Sequence, residues 1–217
     1  EIWEDRPALS DAKAFSLDVK YSGEDFTSKI ARVREWMREN NTTTHILTSL
    51  DDIAWLFNIR GGDIKYNPVV LSYAVITLDK AILFVDENKL NDEIKTSFGE
   101  EVVEIKNYFE IYEFVKTINK EEIVLIDSNK ISYSILKNIP AGVKVVNGMN
   151  PSTKFKAQKN SVEIENTKKA HIRDGVAVTK FMYWLKNNIG KIEITELSAA
   201  DKITELRREQ GKFIEES

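Results

Sequence analysis

Cysteine is absent from the 217 residues. That excludes disulfide scaffolds, thiolate zinc sites and cysteine nucleophiles, and it agrees with a reducing cytoplasm. No apolar run approaches the roughly 20 residues a membrane-spanning helix needs. No charged-then-apolar segment of the signal-peptide kind opens the chain. An excess of positive charge is also missing: the formal net charge is -4, the pI is near 5.5, and Lys and Arg are interspersed with Asp and Glu. A surface of this balance has no electrostatic reason to bind nucleic acid or an anionic membrane. What is present is apolar material, 42% hydrophobic and 10% aromatic. That is enough for at least one well-buried core, as one domain plus a further piece or as two small domains. The first residue is Glu1 rather than Met, and the last, Glu215-Glu216-Ser217, fall on the tail of an amphipathic pattern. Neither end reads as a natural terminus.

Ser22-Gly23-Glu24-Asp25 places a carboxylate three residues after a hydroxyl, the pattern of a capping box. Phe26, Ile30, Val33 and Met37 then recur on one helical face until Asn40-Asn41. His45 to Thr48 reads as a short buried strand, and Asp51 to Phe57 as about one and a half helical turns. Gly61-Gly62-Asp63 breaks the pattern, and Pro68 pushes Asn67 toward extended geometry. Val69 to Thr77 and Lys80 to Val85 are rich in β-branched and aromatic residues and predict a hairpin across Leu78-Asp79. Helices are then expected over Lys89 to Phe98, Glu110 to Ile118 and Ser132 to Asn138. They alternate with strands over Val102 to Ile105, Ile123 to Ile126 and Val143 to Val146. This order predicts a mixed α/β layer, a central sheet with helices on its faces.

The character changes after Asn150-Pro151. Asn160 and Glu163 can cap a long helix to Asn188 with Ile164, Val178, Phe181, Met182 and Leu185 apolar, and Gly190 ends it. Thr195 caps a second helix carrying Leu197, Ile203 and Leu206. These helices have an apolar face and no sheet of their own to cover, and helical stability comes mostly from packing partners. The expected division is an α/β domain over residues 1–150 and an incomplete second domain over 151–217.

Candidate chemistry is sparse. His45, at the start of a buried strand, reads as a packed or hydrogen-bonded residue rather than a ligand. His171 and Asp174 are three apart on the long helix, but no third or fourth ligand stands nearby at helical spacing, so a metal site is not expected there. Ile59-Arg60-Gly61-Gly62-Asp63 lacks the spacing and the Lys of a P-loop. It reads first as a turn whose glycines supply positive φ. Its functional reading is a loop whose Arg60 and Asp63 meet a peptide or a neighbouring domain, Arg being suited to carboxylates by its planar fork. Ser198 and Thr204 have no histidine in helical reach, so a hydroxyl nucleophile is not supported.

The run DDIAWLFNIRGGDIKYNPVVLSYAVI, Asp51 to Ile76, closely resembles the middle domain of three-domain Xaa-Pro aminopeptidases. So do EIWEDRP at Glu1 to Pro7, KAHIRDGVAVTKFMYWL at Lys169 to Leu185 and ELSAADKITELRREQ at Glu196 to Gln210. The resemblance spans essentially the whole chain. It implies a creatinase/prolidase N-terminal-type mixed sheet flanked by helices over residues 1–150, then the first two helices of a truncated pita-bread catalytic domain. It also implies a cytoplasmic, homodimeric parent acting on peptides with proline at the second position. In that family two divalent cations, usually manganese, are held by two Asp, one His and two Glu. A metal-bridging hydroxide attacks the carbonyl before proline and releases the amino-terminal residue. All of those ligands lie downstream of the stretch matching Phe213 to Ser217. The resemblance therefore assigns no metal or catalytic residue to this chain and implies that the piece alone is inactive. Arg60, Asp63 and Asn67 are its candidates for substrate or interdomain contact. The rival reading is a non-catalytic creatinase-like peptide- or histone-binding module, which would lack the metal ligands beyond Ser217.

Overall fold

The computed structural model describes residues 3–211; the readings placed on Glu1, Ile2 and Phe213 to Ser217 lie outside them. In chain order the elements begin with β1 (Phe15–Ser16), α1 (Val19–Ser22), α2 (Phe26–Glu39), β2 (Thr44–Leu47) and α3 (Leu50–Leu56). Next come β3 (Ile59–Arg60), β4 (Ser72–Thr77), β5 (Ala81–Val85), α4 (Asp92–Val102) and β6 (Glu104–Lys106). Then follow α5 (Ile111–Phe114), β7 (Ile123–Ile126), α6 (Tyr133–Asn138), β8 (Lys144–Asn147) and α7 (Pro151–Ala157). The series closes with α8 (Ser161–Asn188) and α9 (Glu196–Glu209). The mixed α/β architecture expected from the sequence is the one observed.

Local chemistry explains most boundaries. The cap of α2 is Asp25 rather than Ser22: its carboxylate accepts from Ser28 N at 2.8 Å. Ser22 ends the short α1, and Gly23 turns the chain there at φ 68, a region open mainly to glycine. Two helices, α1 and α7, went unread in the sequence. In α7 Pro151 occupies the first turn, where its missing N–H costs nothing.

A six-stranded sheet has the order β6-β5-β4-β2-β7-β8, and β1 and β3 form a separate antiparallel pair. Strand β4 runs antiparallel to β2 and β5, while β5–β6, β2–β7 and β7–β8 are parallel. All strands of the six-stranded sheet except β4 therefore share one direction. Successive side chains of the central strands alternate between two cores, as the pleat requires. Leu47, Ala74, Ile76 and Leu83 join Ile30, Val33 and Met37 of α2, Ile53 and Leu56 of α3, and Phe98 of α4. Ile46, Val75, Ile82, Phe84 and Val124 instead meet Ile111, Val115 and Ile135 on the opposite face.

The chain divides into two compact units, Glu1–Lys159 and Asn160–Ser217. In the second, α8 and α9 pack against each other. Each begins with the expected capping residue, Asn160 or Thr195. Ala177 and Leu206 are buried, and Asp174 pairs with Arg207 at 2.7 Å. Ile164, Met182 and Leu197 of the expected apolar faces are exposed.

Candidate functional site

Because five of the six strands share a direction, the carboxyl ends of β2, β5, β6, β7 and β8 lie along one edge of the sheet. Chain connections leave β2 toward β4 and return later to β7 on its other side. Crevices of this kind, where strand order reverses, are the usual ligand sites of open α/β sheets. Here the chain's own groups occupy the crevice. Thr48 Oγ1 donates to Lys130 O at 2.8 Å, tying the end of β2 to the loop after β7.

At its centre is Asp52, in the first turn of α3, with its side chain fully enclosed. Its Oδ2 accepts from Lys130 Nζ at 2.9 Å, Thr153 Oγ1 at 3.0 Å and Asn150 Nδ2 at 3.1 Å. Lys156 Nζ lies 3.2 Å from Oδ1 as an ion pair without hydrogen-bond geometry. Burial alone would push the Asp52 carboxyl up. The hydrogen bonds from Lys130 and Asn150, helped by the charge of Lys156, outweigh it and hold the pKa at about 2. One carboxylate thus fastens α3, the β7–α6 loop and α7 together.

His45 sits one strand residue before Ile46, wholly buried, with Nδ1 3.2 Å from Leu125 O on β7. A carbonyl oxygen only accepts, so Nδ1 carries the proton and Nε2 is the free acceptor. Burial drives its pKa down to about 4, against the raising influence of Leu125 O, Asp52 and Asp127. The ring is therefore a neutral, packed group, as its place in the strand led one to expect.

Arg60 is the last residue of β3, and Asp63 and Asn67 fall on the β3–β4 connection, each with its own partners; Gly61 and Gly62, between Arg60 and Asp63, do not take the positive φ expected from the sequence. Arg60 Nη1 donates to Ala54 O at 2.6 Å and Ile59 O at 2.9 Å, closing the end of α3. Asp63 turns inward: its Oδ2 accepts from Lys89 Nζ and from Leu71 N, both at 2.7 Å, with neither charged side chain appreciably exposed. Asn67 is exposed and reaches Asp51 Oδ1 at 3.4 Å. Lys89 also lines a cleft of about 310 Å³ with Leu9, Asp86, Asn107 and Tyr108. Beside it the Tyr73 hydroxyl lies 3.2 Å from that of Tyr112 and accepts from Tyr108 at 3.3 Å, and the rings of Tyr73 and Tyr108 stack at 5.0 Å. The bond to Tyr73, then burial, pushes the Tyr112 phenol up to about 12.

Among the described residues no group of three or more His, Cys, Asp or Glu is placed to hold a metal ion. His171 is exposed, and Asp174 is committed to Arg207. These residues do not fit a two-metal centre, and no catalytic step through one can be built from them. What the edge offers chemically is fixed charge and fixed backbone geometry. The Asp52 cluster was not read in the sequence, because its members lie 78 and 98 residues from Asp52 along the chain. The available signal was a carboxylate set directly against the buried run Ile53-Ala54-Trp55-Leu56-Phe57.

Comparison with known proteins places this arrangement. Proteins named "Probable Xaa-Pro aminopeptidase P" from Leptosphaeria maculans and Sordaria macrospora are 34% and 36% identical over 99% and 98% of this chain, and 37% of each relative is covered. The chain thus spans about a third of the length of the curated relatives it matches. The crystal structure of X-prolyl aminopeptidase from Caenorhabditis elegans, described as a cytosolic enzyme with a di-nuclear active site, superposes with a TM-score of 0.92 and 30% identity, covering 98% of this chain and 36% of that one. The Xaa-Pro dipeptidase of Bacillus anthracis shares the fold at a TM-score of 0.58 and 16% identity, over 86% of this chain and 50% of that one. The Creatinase/Prolidase N-terminal domain matches residues 5–163, and the chain belongs to that family.

Proposed function

We propose that this chain is the middle portion of a metal-dependent Xaa-Pro aminopeptidase, which removes the amino-terminal residue before proline, and that the portion alone is inactive. The observation that carries the reading is likeness over nearly the whole chain, at 34–36% identity, to proteins named for that activity, while no metal-binding group occurs among the described residues. In this reading two divalent cations, manganese, are held by residues outside the chain, in a cytoplasmic homodimer. Residues 1–150 form the creatinase/prolidase-type domain, and residues 151–217 begin the catalytic domain. The first of these is a scaffold, and its stretch from the end of β3 through the β3–β4 connection is the part that meets substrate or a neighbouring domain. Arg60 and Asn67 are the contacts; Asp63, tied to Lys89 and Leu71, holds the connection in shape.

Hydrolysis of an Xaa-Pro peptide with added manganese, by this chain and by one extended through the length of its relatives, tests the reading. Activity confined to the extended chain is the expected result. Activity in neither would point to a non-catalytic peptide- or histone-binding module, and activity in the short chain would overturn the claim of inactivity.

A further inference from the structure

The sequence holds a single Asn-Gly pair, Asn147-Gly148, at the end of β8. An asparagine before glycine is open to attack by its own backbone, because glycine sets no Cβ beside the incoming nitrogen. Strand β8 is an edge of the six-stranded sheet, paired on one side with β7. Three of its four side chains, Asn147 among them, are exposed. Nothing in the backbone requires glycine at 148. Its φ is not positive, and a Cβ there would lie 3.5 Å from Leu125 Cδ1, an ordinary contact.

Two hydrogen bonds restrain the pair. Asn147 Oδ1 accepts from Ser128 N at 2.9 Å, and Gly148 N donates to Ile126 O at 2.9 Å. Both partners lie at the end of β7 or just after it, so both bonds require β8 to be docked. Ring closure needs Gly148 N stripped of its proton and within roughly 3–3.5 Å of Asn147 Cγ. The bond to Ile126 O holds that proton in place, and the bond from Ser128 N fixes the carboxamide. The extended backbone of a strand also directs the Gly148 amide onward along β8. The route is closed while β8 is docked and open when this edge frays. An edge with few buried side chains opens at a lower free energy than the core.

We infer that Asn147 is a modification site, converted to isoaspartate or aspartate when the end of β8 separates from β7. Hydroxide removes the Gly148 N–H proton, and the nitrogen attacks Asn147 Cγ. The new N–C bond forms as the Cγ–Nδ2 bond breaks, and Nδ2 leaves as ammonia after taking a proton from water. Water then opens the imide ring at either carbonyl. Opening at the main-chain carbonyl routes the backbone through Cβ and adds one atom to it. The pairing of Asn147 with Ile126 and the bond from Gly148 N to Ile126 O cannot then both be kept. The change falls just before Asn150, which ties the start of α7 to Asp52. Conversion therefore loosens β8 and the start of α7 and adds one negative charge.

Incubation of the folded chain at mildly alkaline pH, beside a sample in concentrated urea, tests the inference. Peptide mass mapping, with fragmentation that separates isoaspartate from aspartate, follows the conversion. It is expected at Asn147 in both samples and roughly tenfold or more slower in the folded one, since the edge must open first. Gly148→Ala, whose Cβ the fold accommodates, should suppress it in both. The converted chain, separated by its added charge, should exchange amide hydrogens faster over residues 144–157 than the unconverted one. Equal rates with and without urea would overturn the gating by β8, and conversion in urea alone would overturn the opening of this edge in the folded chain. Absence of conversion in urea, or conversion indifferent to Gly148→Ala, would overturn the site itself. Unchanged hydrogen exchange would overturn the loosening of β8 and α7.

Discussion

Asp63 Oδ2 and Lys89 Nζ lie 2.7 Å apart with their side chains 0% and 3% exposed, and the same oxygen accepts from Leu71 N. Breaking a buried pair strands the remaining charge at about 3–5 kcal/mol, whereas removing both charges can be nearly neutral. Lys89→Met is therefore expected to lower the free energy of unfolding by about 3 kcal/mol or more. Adding Asp63→Asn, which keeps an acceptor for Leu71, should restore most of that loss. Urea denaturation of both variants checks the order: a double variant less stable than Lys89→Met would contradict it.

Asp52→Ala removes the acceptor shared by Lys130, Thr153 and Asn150. Both lysines keep about a third of their side chains in solvent, which screens the charges left behind. The expected destabilisation is about 2–4 kcal/mol, measured by denaturant unfolding. Hydrogen exchange should increase first in residues 150–157; uniform loosening of the whole chain would show that Asp52 does not act through α7.

Acid should weaken the fold in two stages. Burial lowers the His45 pKa from its ordinary 6.5 to about 4 in the folded chain, so the unfolded chain takes up its proton first. Its stabilisation is complete above about 6.5 and is lost as pH falls to about 4, at about 1.4 kcal/mol per unit, or about 3 kcal/mol in all. Asp52, depressed from 3.8 to about 2, adds a further loss between those two values. Unfolding free energies measured at intervals from pH 7 to pH 4 should show the first stage, and His45→Gln should flatten it.

Gly61→Ala would place its Cβ 2.7 Å from Val70 Cγ2 and 3.3 Å from Val69 O. Val70 is buried, so it cannot simply swing away, and overpacking of this kind costs about 1–3 kcal/mol. Thermal unfolding should report the loss. Gly62→Ala, whose nearest neighbour would be Ala12 Cβ at 3.6 Å, serves as the mild control.

Arg60→Ala removes two hydrogen bonds to backbone carbonyls at the end of α3, worth about 1–3 kcal/mol together. In the extended enzyme proposed above, a substrate contact at Arg60 would also raise KM for an Xaa-Pro peptide. A loss of stability with unchanged kcat and KM would reduce Arg60 to a helix-end brace.

Where a structural decision is made within a few residues, it could be read in advance. The face Ile30-Val33-Met37 is buried as its spacing predicts, and Asn160 and Thr195 cap their helices through bonds to residues three further on. The hairpin of β4 and β5 forms across Leu78-Asp79, where Thr77 N donates to Lys80 O at 2.8 Å. Misreadings arose where a local pattern had two solutions. Ser22 and Asp25 both offer a cap, and only the turn at Gly23 decides between them.

The sequence by itself thus determined the class of fold, the order of the helices and strands other than β1, α1, β3 and α7, the absence of thiol chemistry and, through the Asp51 to Ile76 run, the family. Tertiary structure alone decided that β4 would lie antiparallel between β2 and β5, that Phe15 would pair with Arg60, and that Asp52 would gather Lys130, Asn150, Thr153 and Lys156. Periodicity and capping are interactions between near neighbours and leave a trace in the residue pattern. Pairings across many tens of residues depend on which buried surfaces and charges can be satisfied together, and only the folded chain meets those conditions at once.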